Sequence, residues 1–216
     1  MILSNWQKRC ITSLVLLFLI ILIFSFNIIL IYLLIVLGVL SILEFLQLTK
    51  KLSIKFINFY FINIFFIIYV FAFCFMFFFF ANLTGLKIIL FMLLLACVAS
   101  DMGGYIFGKV FKGPKLTKIS PNKTYSGAAG SIIFSLIVVS FFSYYFLNTL
   151  NFTIIIVALV TSIFCQLGDL IFSFLKRKAK LQDTGKILPG HGGVLDRLDG
   201  ILLAIPFGFI ALEIFI

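Results

Sequence analysis

The sequence predicts an all-α fold: a polytopic integral membrane helical bundle of about seven spans, with a cytoplasmic N-terminus. Three observations carry that expectation. Of 216 residues, 63% are hydrophobic and only 11% charged, whereas a typical soluble domain is about a quarter charged and at most about half apolar. That leaves too little polar surface to coat a soluble globule, and disordered or disulfide-scaffold chains are excluded with it. The apolar residues also form continuous runs near the roughly 20 residues needed to cross a bilayer, without the two-residue alternation of a barrel strand. Finally, the basic residues fall in four clusters, at 8–9, 50–55, 109–123 and 176–197, with Lys87 alone outside them.

The first expected span is Ile11 to Phe26, preceded by Lys8 and Arg9. It has the basic start and apolar centre of a signal peptide, but no small-residue cleavage site follows, so it reads as a retained helix. The second runs from Ile28 to Leu48 and stops at Lys50 and Lys51. The third covers Ser53 to Phe80, long enough to tilt or to break into a span and an interfacial segment. The remaining four are expected at Leu86–Gly108, Gly127–Phe146, Phe152–Phe174 and Leu198–Ile216. Seven spans would take about 140 residues, so no separate soluble domain fits in the remainder. This count places all four basic clusters on the cytoplasmic side, as the positive-inside bias requires, and explains the net charge of +10.

Acidic residues are distributed unevenly. Five of the seven are aspartates between Asp101 and Asp199, and the first hundred residues contain only Glu44. The chain therefore divides into an apolar transmembrane anchor, residues 1–95, and a polar-studded catalytic core, residues 96–216. Carboxylates at membrane depth are expensive and default to functional hypotheses, the bland alternative being an interhelical pair with a lysine. The four cysteines are far apart, and the lone His191 has no second histidine with which to share a metal.

Three polar clusters follow. The first begins at Ser100-Asp101-Met102-Gly103-Gly104 and leads through a lysine-rich loop to Ser120, Lys123 and Thr124. Hydroxyls and an ammonium just before a helix N-terminus suit a phosphate. The second is Gly168-Asp169 with Ser173, Lys176 and Arg177. If its helix continues past the interface, Asp169, Ser173 and Lys176 lie within about 60° of one another, a stripe suited to a hard divalent cation bridged to phosphate. The third is Asp183 to Lys186, then Pro189-Gly190-His191-Gly192-Gly193, then Asp196-Arg197-Leu198-Asp199. Proline and glycine forbid a regular helix there, and Gly192-Gly193 lets backbone approach a ligand closely. Asp196 reads as a ligand, Asp199 as either a ligand or a helix cap, and His191 as structural or a simple donor. Carboxylates, cations and a glycine turn on one membrane face are the tools of metal-assisted phosphoryl or nucleotidyl transfer. No Walker sequence is present, which excludes a P-loop ATPase.

These residues carry a resemblance. The stretch Ser173-x-x-Lys176-Arg177, Gln182-Asp183-x-Gly185, Leu188-Pro189-x-His191-Gly192-Gly193-Val194-x-Asp196-Arg197-Leu198-Asp199 resembles the signature of phosphatidate cytidylyltransferases, the CDP-diacylglycerol synthases. Ser120-Pro121-x-Lys123-Thr124-x-x-Gly127 is similar to that family's second motif. The family carries lysine at the position of Gln182 and Trp-Glu at Tyr125-Ser126.

The resemblance implies transfer of a cytidylyl group from CTP to phosphatidate in the bilayer, within phospholipid biosynthesis, in a cell inner membrane with the active site facing the cytoplasm. It further implies Mg²⁺ as cofactor, with K⁺ as an additional candidate. Asp169, Asp196 and Asp199 would serve the metal. Lys176, Arg177, Asp183, His191 and Arg197 would form the catalytic group, and Ser120, Lys123, Thr124, Ser173, Gly192 and Gly193 would bind substrate. No nucleic-acid partner is expected, and association into a homodimer stays open. Two other functions stay open as well. One is a CTP-dependent transferase acting on another lipid phosphate. The other is a cation or metabolite transporter, against which the almost wholly apolar residues 11–43 argue.

Overall fold

The computed structural model describes residues 26–52, 55–117, 120, 123–148, 150–185, 187 and 192–215. They form six helices: α1 Asn27–Lys50, α2 Phe56–Asn82, α3 Thr84–Phe111, α4 Tyr125–Leu147, α5 Phe152–Lys178 and α6 Leu195–Phe215. All six are long and apolar enough to cross a membrane. Six of the seven expected spans are thus accounted for. The first lies outside the described residues, apart from Phe26, which sits at the N-cap of α1. The third is one unbroken helix of 27 residues, so the expected choice between tilt and break resolves against a break.

Contacts divide the chain into two units, one of residues 1–83 and 175–198, the other of residues 84–174 and 199–216. In the first, α1 and α2 are joined by a polar clasp. Thr49 Oγ1 donates to Asn63 Oδ1 at 2.9 Å, and Asn63 Nδ2 donates to the Phe59 carbonyl at 2.7 Å. Both side chains are buried, and pairing them removes the cost of unsatisfied polar atoms. The Phe45 and Phe66 rings stack at 3.8 Å beside them. Away from this contact α2 exposes Phe61, Phe65, Phe71 and Phe75, the surface expected of a helix solvated by hydrocarbon.

The same unit contains the end of α5. Leu181 N–H donates to the Lys176 carbonyl and Lys180 N–H to the Arg177 carbonyl, with Lys180 at φ +56°. This is a Schellman closure, unusual in placing lysine where glycine is preferred. Leu175 and Leu181 pack against buried Leu48, Leu52 and Ala179, and that apolar contact offsets the left-handed residue.

In the second unit, α3 and α4 approach closely through small residues. A Cβ on Gly103 would collide with the Gly130 carbonyl, one on Gly130 with Phe107, and one on Gly104 would lie 2.6 Å from Ser131 Oγ. Such contacts are how helices associate where lipid removes the hydrophobic drive. Ser100 and Ser162 hydroxyls meet at 2.9 Å, and Ser135 Oγ donates to the Ala158 carbonyl. Phe164 and Phe207 stack at 3.7 Å between α5 and α6.

The glycine contacts make a paired prediction. Gly103→Ala forces backbone apart and should cost about 1–3 kcal/mol. Gly85→Ala, also on α3 but with nothing within 4 Å of the added methyl, should be neutral or stabilising by up to about 1 kcal/mol. Thermal midpoints of the two variants in one detergent check the difference.

Candidate active site

The loop before α4 is folded back on itself. Leu116 N–H donates to the Lys123 carbonyl, Lys123 N–H to the Ser120 carbonyl, and Tyr125 N–H to the Pro114 carbonyl. Thr124 caps α4, its Oγ1 accepting from Gly127 N–H at 3.1 Å. Ser126, at the position of the family's glutamate, bonds Thr124 Oγ1 at 3.0 Å and accepts from Gly113 N–H. With its backbone held, Lys123 extends to α5, where Nζ lies 3.1 Å from Asp169 Oδ2. Across α6, a Cβ on Gly200 would sit 3.0 Å from Asp169 Oδ1 and one on Gly168 would strike the Asp199 carbonyl. The second unit therefore brings Lys123, Asp169 and the Asp199–Gly200 backbone together. Asp199 itself is half-buried inside α6, its Oδ1 accepting from Gly200 N–H. Ser173 is half-buried on α5.

The first unit assembles a second charged group. Lys176 Nζ donates to Asp196 Oδ1 at 2.7 Å, and these side chains are only 12% and 7% exposed. Asp196 Oδ2 accepts from Thr184 N–H at 2.9 Å and from Gly193 N–H at 3.0 Å. Gly192 has φ +84°, which glycine alone adopts without strain, and a Cβ there would press on Asp196 Oδ2 and on the Asp183 side chain. Asp183, Arg177 and Arg197 are exposed, Arg177 donating to the Leu181 carbonyl at 3.4 Å. His191 lies outside the described residues.

Sequence reasoning missed Glu44. This carboxylate is 2% exposed and sits about 9 Å along the axis from the C-terminal end of α1. Its Oε2 accepts from Thr184 Oγ1 at 2.8 Å and from Leu195 N–H at 2.9 Å, and its Oε1 from Val194 N–H at 2.9 Å. Glu44 thereby caps α6, the role weighed for Asp199, and α6 begins at Leu195 rather than Leu198 as expected. The close approach permitted at Gly193 is filled by Thr184 and Glu44, with which an added Cβ would collide. The available signal was the single carboxylate of the first hundred residues, inside an apolar run where an ionisable group demands a partner.

Among the described residues no three His, Cys, Asp or Glu side chains converge to hold a metal. The oxygen donors of Asp169, Asp196 and Asp199 each match a hard cation, and Mg²⁺ is commonly held by one or two carboxylates, with water and phosphate completing its shell. These donors fit a hard cation whose remaining ligands are water or phosphate oxygens.

Helices long and apolar enough to cross a membrane thus carry two lysine–carboxylate pairs, the more buried of them beside a positive-φ glycine turn. A family model described as the cytidylyltransferase family matches residues 4–215, and the chain belongs to that family. Similar relatives include proteins named phosphatidate cytidylyltransferase. That of Staphylococcus haemolyticus is 42% identical over 134 residues, 61% of this chain and 51% of the relative. That of Staphylococcus aureus strain COL is 43% identical over the same length and shares. That of Bacillus subtilis is 42% identical over 125 residues, 56% of this chain and 46% of the relative. The chain spans about half the length of these relatives.

The two ion pairs differ in burial, and their loss should differ accordingly. Lys176→Met leaves Asp196 an uncompensated buried charge and should cost about 3–5 kcal/mol. Lys123 and Asp169 are 29% and 24% exposed, so Lys123→Met should cost on the order of 1 kcal/mol. Denaturation midpoints in detergent, read on the same day against wild type, give the comparison.

Proposed function

We propose that the chain is a CTP:phosphatidate cytidylyltransferase, forming CDP-diacylglycerol and pyrophosphate at the cytoplasmic face of a cell membrane. The observation that carries this reading is the motif from Ser173 to Asp199, in which Lys176 and Asp196 are tightly paired in a chain of the cytidylyltransferase family. The names of the relatives support the choice of lipid over an isoprenoid or other lipid phosphate.

In the proposed reaction a phosphatidate oxygen forms a bond to the α-phosphorus of CTP, while the bond from that phosphorus to the bridging oxygen of pyrophosphate breaks. Covalent participation by the protein is not required; positioning and charge neutralisation supply most of the rate. Lys123 and Lys176 are cations held beside carboxylates by short bonds, from which each turns to a phosphate when one is present. Exposed Arg177 and Arg197 add charge for the leaving pyrophosphate, and His191 donates to a phosphate oxygen. Ser120, Thr124 and Ser173 offer hydroxyls, and Gly192 keeps the turn open to substrate. Asp169 and Asp196 are the carboxylates that would hold a divalent cation, with Asp199 assisting, and Asp183 borders the turn. Mg²⁺, when bound, would neutralise triphosphate charge as pyrophosphate departs.

Purified full chain given labelled CTP and a panel of lipid phosphates should label phosphatidate far faster than an isoprenoid phosphate. Asp169→Asn and Asp196→Asn should each lower turnover by about a hundredfold or more, the scale of losing one electrostatic stabiliser. Labelling of another lipid phosphate in preference, or near-normal turnover in either variant at saturating Mg²⁺, contradicts the reading.

A further inference from the structure

We propose that Glu44 is a positioning residue for the Asp196–Lys176 pair, acting through Thr184 and the first backbone amides of α6; as an account of catalysis this rests on the cytidylyltransferase reading. Three successive N–H groups lead into the helix, and two carboxylates divide them. Gly193 N–H goes to Asp196, while Val194 and Leu195 N–H go to Glu44. Thr184 joins the two carboxylates, donating its backbone N–H to Asp196 and its hydroxyl to Glu44. Among the described residues Glu44 has no basic partner within ion-pair distance. Its two oxygens are satisfied by the backbone and one hydroxyl, so its position depends on where those donors are.

The dependence runs both ways. Residues 184, 185 and 193 pack so closely on Glu44 that an added Cβ at Gly185 or Gly193 would strike its carboxylate. Glu44 is carried by α1, which the Thr49–Asn63 clasp and the Leu48 contact hold in place. A rigid helix thus presents a fixed acceptor, and the turn registers against it. Asp196 accepts from two donors on that turn, Thr184 and Gly193, which aims its other oxygen at Lys176. A bond rotation or slip of the turn misplaces the carboxylate that the proposed chemistry uses, and misplacement by about 1 Å is enough to cost a hundredfold in rate. Glu44 touches no reacting atom in this scheme; it acts through Asp196.

Glu44→Gln tests this, because the amide keeps the shape but turns an NH₂ donor toward N–H or O–H donors. The full chain in nanodiscs is compared with the variant by hydrogen exchange and by initial rates. The variant should retain a thermal midpoint within a few degrees and unchanged exchange across residues 125–147. The amides of residues 193–195 should exchange at least about tenfold faster, since capping bonds govern local opening. Turnover at saturating CTP should fall about thirtyfold, with the KM for phosphatidate changed less than about twofold. In the Asp196→Asn background the same substitution should lower the residual rate less than about threefold, because residues acting through one group are not additive.

Thr184→Val, which removes a single donor to Glu44, serves if Glu44→Gln does not purify; it should give the same pattern, and Thr184→Ser should restore it. Full turnover in Glu44→Gln, unchanged exchange at 193–195, or an equal loss in both backgrounds overturns the proposal. If the wild-type chain labels no lipid phosphate from CTP, the cytidylyltransferase reading fails, and the exchange result alone then decides whether Glu44 positions the turn.

Discussion

A carboxylate taken out of water must be given donors, because several kcal/mol of solvation are otherwise lost. Glu44 meets that requirement with Thr184, Val194 and Leu195, and the first unit is arranged around the bargain. The Schellman closure of α5 turns the chain at Lys180 and sends residues 181–185 toward α1. Thr184 can then reach Glu44 and Asp196 together. Orphan amides at a helix start normally need a local Ser, Thr or Asp as cap. Here the sequence before α6 is Gly192-Gly193-Val194, with no side chain to cap, so the cap comes from another helix.

The charged residues outside that core follow the same logic of paired desolvation. Two of the proposed metal carboxylates are each matched in this structure by one lysine, Lys123 for Asp169 and Lys176 for Asp196. An ammonium beside a carboxylate keeps both groups soluble in a low-dielectric setting. On the proposed reading it also keeps a cation ready for an arriving triphosphate, at the cost of breaking one pair to make another. The more buried pair, Lys176–Asp196, is the one whose carboxylate is further fixed by two backbone amides.

Much of the fold was legible because span length is set by bilayer thickness and shows as local composition. Phe152 was expected to open a helix and does, and α4 begins two residues before the expected Gly127. The continuation of α5 to Lys178 confirms that Asp169, Ser173 and Lys176 ride on one helix. Glu44 was not legible in the same way. Its partners lie 140 to 151 residues away in sequence, and no local periodicity encodes a contact at that separation. The space beside Gly193 is taken on the Cβ side by Thr184 and Glu44. Glycine signals that something comes close, and it does not say what.

Whether the amides that open α6 are held by the protein's own carboxylates or stand open to phosphate is the most direct question for this account. Amide resonances of Gly193, Val194 and Leu195 in nanodisc-embedded, selectively ¹⁵N-labelled chain can be followed as Mg²⁺ and CTP are added. The account predicts that Val194 and Leu195 stay within a linewidth of their starting positions, since Glu44 occupies both. Large, saturable shifts at Val194 and Leu195, equal in wild type and Glu44→Gln, would show that phosphate takes those amides directly and would contradict it.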